Sequence, residues 1–301
     1  MSQPKVIIIV GPTASGKSAL AVELAKKCNG EVISADSRQV YRGLNMGTGK
    51  ITKREMKGVP HHLLDIASPK KIFTAHDFAA QAQRAIEKVA SRGKIPIMCG
   101  GAGFYIDALV GRVTLSSVPA NKKLRAQLDK KSAEELFAQL RRLNPQRAAT
   151  IDRYNERRLI RALEIERSAI PGRFNLPGMG MAQYDVLWIG LAPDREDLRK
   201  RINARLGVRL RRGMIAEARK LKKRGLSYKR MNELGLEYHS LARHLQGEIS
   251  RQGLERELQI AIWQYAKRQM TYWRRNKDIR WFGPSETKTI IRVVSKWLKH
   301  I

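Results

Sequence analysis

The chain has 301 residues, 43% hydrophobic and 29% charged, a globular composition that suits one large or two modest domains. No run approaches 18 apolar residues, no signal-peptide layout opens the chain, and Cys28 and Cys99 are its only cysteines. A membrane span, an export leader, a disulfide framework and a four-cysteine zinc site are thereby excluded from the reading, and a cytosolic protein with two packing cysteines is expected. With 59 basic against 27 acidic residues the formal net charge is +32, well beyond what solubility needs, which points to a polyanionic partner.

The first apolar run, Val6 to Val10, leads into Gly11-Pro12-Thr13-Ala14-Ser15-Gly16-Lys17-Ser18 and then the helical SALAVELAKKC. This is G-x-x-x-x-G-K-[ST] between a strand and a helix, where backbone amides and the helix start cradle phosphate oxygens. Lys17 adds a point charge there, and Ser18 is placed to ligate Mg²⁺. A second run, Glu31 to Ser34, ends at Asp36, whose carboxylate is expected to face the phosphate loop as a general base or a water-mediated Mg²⁺ ligand. Ser37, Arg38 and Gln39 extend the polar run. His61 and His62 lack metal-ligand spacing and read as structural. A third strand, Ile95 to Cys99, precedes Gly100-Gly101, with Tyr105 four residues on; the glycines allow close backbone approach to a ligand, or serve a tight strand-to-helix turn.

About 85 residues separate this strand from the next, too many for one crossover helix. An inserted all-helical lobe is expected at residues 116–181, carrying SAEELFAQLRRL and NERRLIRALEIERS, with IPGRFNLPGMGMAQ as a hinge or loop. The core would then be residues 1–115 and 182–301. Val186 to Leu191 is the fourth strand. A long helix follows it to Lys223, with Asp194 as N-cap, Gly225 as stop and Arg201, Arg205 and Arg209 on one face. Arg205 is placed to clamp departing phosphates. A helix from Leu254 to Arg275 interleaves aromatic and basic residues: Lys267, Arg268, Trp273 and Arg274 suit RNA contacts, while Trp263, Tyr265 and Met270 suit a core. Ile279 to Phe282 is the fifth strand. Strands alternating with helices predict an α/β fold, a P-loop NTPase-like parallel sheet flanked by helices, with ligands at the strands' carboxyl ends. Residues 1–112 carry 17 basic and 8 acidic residues and the rest of the chain 42 and 19, so the later segments are the ones to grip a large polyanion.

In order along the chain, GPTASGKS, ISADSRQVYRGLNMGTGK, HHLLDI, GGAGFYIDAL, RRLIRALEI, DREDLRKRINAR and YAKRQMTYWRR resemble bacterial tRNA dimethylallyltransferases over residues 5–283. The resemblance implies transfer of a dimethylallyl group from dimethylallyl diphosphate to N6 of adenosine 37, next to the anticodon, in tRNAs reading codons that begin with U, releasing diphosphate. Position by position it implies that Gly11 to Ser18 and Arg205 bind diphosphate, that Asp36 is the general base with Lys17 and Arg205 as catalytic partners, and that Mg²⁺ sits on Ser18. It implies tRNA contacts at Asp36, Ser37, Arg38, Gln39, Ala102, Arg125, Arg157, Arg158 and Arg161. A monomer is expected, and no membrane partner, since the chain shows no lipidation motif and no polybasic block beside an apolar span. The chain departs from the family's usual residues at Ala102, where threonine is usual, at Gly49-Lys50-Ile51, where AKP is usual, and at 234–238, where it reads LGLEY. The residues alone leave open a small-molecule kinase, a non-catalytic or ATPase RNA-binding module, and a prenyltransferase acting on AMP.

Overall fold

The structure, a computed structural model, describes residues 3–168 and 184–299. They fall into two compact units, Met1–Arg112 with Gly180–Ile301, and Val113–Met179.

The larger unit is built on six parallel strands: β1 (Lys5–Val10), β2 (Gly30–Ser34), β3 (His61–His62), β4 (Ile95–Cys99), β5 (Asp185–Leu191) and β6 (Arg280–Phe282). They lie in the order β3-β2-β4-β1-β5-β6. Val6 to Val10 is apolar without alternation because both faces of a central parallel strand are covered. Ile7 and Ile9 pack with Val32, Ile97 and Leu187 beneath the helices Lys17–Lys27 and Thr287–Lys299, while Val6, Ile8 and Val10 pack with Ile33, Met98 and Trp188 on the other face. Side chains so enclosed each contribute about 1.5–3 kcal/mol through burial. Their register, Ile8 opposite Met98 on one side and Trp188 on the other, brings the ends of β1, β4 and β5 to one level. Gly11, Asp36 and Gly100 all follow strands at that edge.

Three features differ from the sequence expectation. A sixth strand, β3, pairs with β2 at the sheet edge; two residues are too short for any periodicity to reveal. The helix expected to run to Lys223 is two helices, Arg195–Arg211 and Met214–Lys223, broken where Gly213 adopts a φ of 100°. Beyond β6 an amphipathic helix, Thr287–Lys299, buries Ile290 and Val294 against the sheet.

The smaller unit contains the helices Lys122–Leu128, Ala133–Leu143, Pro145–Thr150 and Glu156–Glu166. Leu128, Leu136, Leu140, Leu159 and Leu163 form its core. Each helix starts on a polar cap: Asn121, Asn144 and Asn155 accept amide hydrogens and Ser132 forms a capping box with Glu135. Such caps stabilise by about 1 kcal/mol apiece. The Pro/Gly-rich IPGRFNLPGMGMAQ lies outside the described residues.

Candidate active site

Between β1 and the helix Lys17–Lys27 the chain makes the turn that phosphate binding requires. Gly11 has a φ of 137°, and a Cβ there would stand 2.5 Å from the Leu191 carbonyl oxygen, so no other residue fits between β1 and the end of β5. Ala14 is left-handed as well, at a φ of 62°, a strained conformation for a residue with a side chain. Lys17 Nζ lies over the loop, donating to the Pro12 carbonyl at 2.5 Å and to Ser15 Oγ at 3.5 Å. Burial pushes the Lys17 ammonium down from the ordinary lysine range to about 8, with the charge of Arg205 acting in the same direction. Below that pH the group is a cation and above it is neutral, whereas a bound diphosphate favours the charged form. Diphosphate affinity is therefore expected to fall as pH rises through 8, with proton uptake on binding. Calorimetry in two buffers of different ionisation enthalpy measures that uptake; none near pH 8.5 would contradict the role given to Lys17.

Opposite the loop, Asp36 stands two residues beyond the end of β2. Its Oδ1 accepts the backbone amides of Arg38 at 2.8 Å and Gln39 at 3.1 Å, which fixes the carboxylate and shapes the turn. Asp36, Gln39, Lys17, Ser18 and Arg205 line one cleft of about 310 Å³ with Thr48, Gly100 and Tyr265. Cys99 also reaches it, but burial pushes its thiol up to about 11, so it packs as a neutral group.

Arg205, Arg201 and Arg209 share a helix and have different surroundings. Arg209 is tied down, donating to the carbonyls of Met46, at 2.5 Å, and Gly47, and to Glu237 at 2.9 Å. Arg201 lines a different cavity, together with Ser15, Gly16 and Glu23. Arg205 has no salt-bridge partner among the described residues and borders both the cleft and an adjoining cavity of about 720 Å³. A guanidinium beside a phosphate loop, influenced by Glu55 and Glu237 without being bridged to either, is available to a ligand.

The sequence reading did not single out Gln269. Its buried amide bridges two turns, accepting from the Thr13 amide at 2.7 Å and donating to the Gly101 carbonyl at 3.2 Å. A Cβ on Gly101 would lie 1.8 Å from Gln269 Nε2, and one on Gly103 2.2 Å from the Tyr272 ring. The Gly-rich turn after β4 thus exists to let the helix Arg251–Trp273 approach, and the ligand is not needed to explain it. Gly101→Ala is expected to lower stability by about 1–3 kcal/mol through overpacking and to free the Thr13 amide, read as an earlier thermal midpoint together with weakened diphosphate binding. Only the AKRQ string hinted at Gln269, because a lone glutamine on a helix carries no pattern.

Among the residues expected to meet RNA, Ser37 and Arg38 sit in the Asp36 turn, Arg38 Nη1 donating to the Ser37 carbonyl at 3.3 Å. Ala102 is the N-cap of the helix Gly103–Leu109 and offers no side-chain cap. In the smaller unit Arg157 and Arg158 are exposed, whereas Arg125 and Arg161 both bond the buried carboxylate of Glu164. Trp273 is no stacking surface: it is 1% exposed and packs 6.0 Å from Trp188. Tyr265 belongs to the cleft wall and Lys267 and Arg268 are exposed. His62 bonds Glu31 at 2.7 Å, and Glu31, though burial opposes its ionisation, is held at about 2 by hydrogen bonds from Lys94 and His62 and by the charge of Arg92. That cluster ties the sheet edge. Among the described residues no group of three or more His, Cys, Asp or Glu side chains is placed to hold a metal, and no helix is long and apolar enough to cross a membrane.

A parallel sheet with a phosphate loop at the end of β1, a carboxylate beyond β2 and an arginine bordering the same cleft defines a P-loop-like α/β protein. Comparison with known proteins narrows this. The family model described as IPP transferase matches residues 39–276. The chain is 43% identical over 270 residues to tRNA dimethylallyltransferase 1 of Geotalea daltonii, covering 89% of this chain and 86% of that one. It superposes on the full-length tRNA isopentenylpyrophosphate transferase of Bacillus halodurans with a TM-score of 0.74 at 35% identity, over 99% and 97% of the two chains. It superposes on a eukaryotic dimethylallyltransferase acting on tRNA with a TM-score of 0.80 at 25% identity, covering 98% of this chain and 77% of that one. The chain belongs to the IPP transferase family.

Proposed function

We propose that the protein is a tRNA dimethylallyltransferase, moving a dimethylallyl group from dimethylallyl diphosphate to N6 of adenosine 37 in tRNAs reading codons that begin with U. Beyond family membership, the observation that supports this most directly is a cleft holding the phosphate loop, Arg205 and Asp36 together. The N6 lone pair attacks C1 of the allyl group, the C1–O bond breaks, and its electrons leave with diphosphate. Lys17, the loop amides and Arg205 stabilise the charge that gathers on the departing oxygens, the largest demand of the reaction. Asp36, oriented by its turn, aligns N6 and accepts its proton. The base must leave the anticodon-loop stack to reach the cleft.

The donor set suits Mg²⁺ bound chiefly through substrate. Ser18 at the helix start and Asp36, which line the same cleft, would hold the ion together with the substrate's phosphate oxygens. Bound there it would neutralise leaving-group charge. The unit Val113–Met179, with Arg125, Arg157, Arg158 and Arg161, is assigned to the anticodon arm, and the protein is assigned to act as a monomer in the cytosol, where tRNA is found. Arg157→Ala is expected to weaken tRNA binding about tenfold and to reduce its salt slope by about one, with the diphosphate affinity unchanged.

The test is incubation of labelled dimethylallyl diphosphate with an anticodon stem-loop bearing adenosine 37, beside parallel arms of AMP and of ATP with small acceptors. Label in the RNA supports the proposal. Label in AMP alone, or phosphate transfer from ATP, replaces it with one of the other readings.

A further inference from the structure

We infer that Glu164 is a positioning residue that presets Arg125 and Arg161 as a two-pronged grip on RNA phosphates; the inference rests on the proposed action on tRNA. Within the smaller unit Glu164 is 2% exposed, on the core side of the helix Glu156–Glu166, yet it is ionised, held below the usual carboxylate range by four hydrogen bonds that outweigh its burial. Oε1 accepts from the Asn121 amide at 2.6 Å and from Arg125 Nε at 2.9 Å. Oε2 accepts from Arg125 Nη2 at 2.6 Å and from Arg161 Nη1. Arg161 Nη2 in turn donates to the Val118 carbonyl at 2.7 Å. A single carboxylate therefore joins the start of the helix Lys122–Leu128, the segment before it and the helix Glu156–Glu166.

A purely structural ion pair would need one arginine, and a free phosphate hook would need none of this. Here two guanidiniums meet one carboxylate, so the trio keeps a net positive charge. Each arginine uses only part of its five-donor fork: Arg125 spends Nε and one edge of Nη2, leaving Nη1, while Arg161 leaves Nε. Both side chains remain about one-third exposed, at 38% and 33%, so the unspent donors can reach solvent. Long arginine side chains lose rotamer freedom when they grip a ligand, and fixing them beforehand removes that loss from binding. Paired charge-assisted bonds hold such a fork in plane, as recognition of phosphate requires.

Glu164→Gln separates this from a simple brace, because it adds one net positive charge to the unit while releasing the fork. Binding of the anticodon stem-loop is followed by fluorescence anisotropy over a KCl series, and prenyl transfer by KM for RNA and kcat. The expected result is RNA affinity and KM worsened about tenfold, kcat at saturating RNA unchanged, and a salt slope steeper than that of the wild type, since the freed cations now bind through charge alone. Wild-type affinity in folded Glu164→Gln, or a loss confined to kcat, overturns the inference. Arg125→Lys, which keeps the charge and loses the bidentate hold, provides the second arm and decides the matter if Glu164→Gln does not fold: weakened RNA binding with unchanged kcat is expected, and unchanged binding overturns it. Failure of the proposed function itself is distinct, since it shows as wild-type protein that labels no RNA at all.

Discussion

Asp36→Asn is expected to leave the fold intact and to slow prenyl transfer by about two to four orders of magnitude, the range for loss of a positioned general base. Asparagine is the informative substitution because Asp36 has two tasks. One is structural, accepting the Arg38 and Gln39 amides on Oδ1, and the asparagine side-chain oxygen can take over both bonds. The other, under the proposed mechanism, is to receive the N6 proton, and an amide cannot do that at neutral pH. Asp36→Ala removes both tasks and would confound a disordered turn with lost chemistry. A thermal midpoint unchanged in Asp36→Asn alongside the lost rate assigns the effect to proton transfer. Rate retained within a factor of a few in folded Asp36→Asn would remove Asp36 from the mechanism.

The second large effect is expected from the cations. Lys17→Ala and Arg205→Ala should each lower kcat by about two to three orders of magnitude, as loss of a donor aimed at developing charge does elsewhere, with tRNA affinity unchanged. The two residues begin from different states. Lys17 is engaged with the Pro12 carbonyl and the Ser15 hydroxyl, so it must exchange those bonds for phosphate oxygens, and burial has already lowered its pKa to about 8. Arg205 has no salt bridge among the described residues to give up and, as a guanidinium, keeps its charge throughout the working pH range. Their pH profiles should therefore separate: activity of the wild type declines in mildly alkaline buffer as Lys17 deprotonates in the free enzyme, and Lys17→Arg moves that decline upward. Measuring kcat/KM for dimethylallyl diphosphate between pH 7 and 10 in both proteins checks this, and superimposable profiles would refute it.

The phosphate loop, the parallel sheet and the acid beyond the second strand are legible in the sequence because each is local. An apolar run, a glycine pattern and a helix signature lie within 20 residues of one another, and a buried parallel strand announces itself by composition alone. Arg205 is legible only in part: the four-residue spacing shows that Arg201, Arg205 and Arg209 share a face, but Met46, Gly47 and Glu237 tie down Arg209 from elsewhere in the chain, and only the fold shows that Arg205 and not Arg201 lines the cleft with Asp36. The Gly-rich turn after β4 invites a ligand in sequence and meets a helix in the structure. Two-residue β3, the break at Gly213 and Gln269 were hidden because strand pairing and side-chain bridging over long separations leave no periodic trace. Ala102 gains a meaning the sequence could not give it, since it caps a helix without a side-chain acceptor. Ala102→Thr is accordingly expected to raise the free energy of unfolding by about 0.5–1 kcal/mol, read from urea denaturation; a lower midpoint would show that the cap cannot form there.

The bond between the Thr13 amide and Gln269 spans 256 residues. During synthesis the loop at the start of the chain is complete within the first strand and helix, yet one of its amides has no partner until nearly the entire polypeptide has left the ribosome. Contacts so distant in sequence are slow to form. The donor site should therefore be the last part of the enzyme to mature, and nascent chains halted before Gln269 should hold a folded sheet edge that cannot yet retain diphosphate.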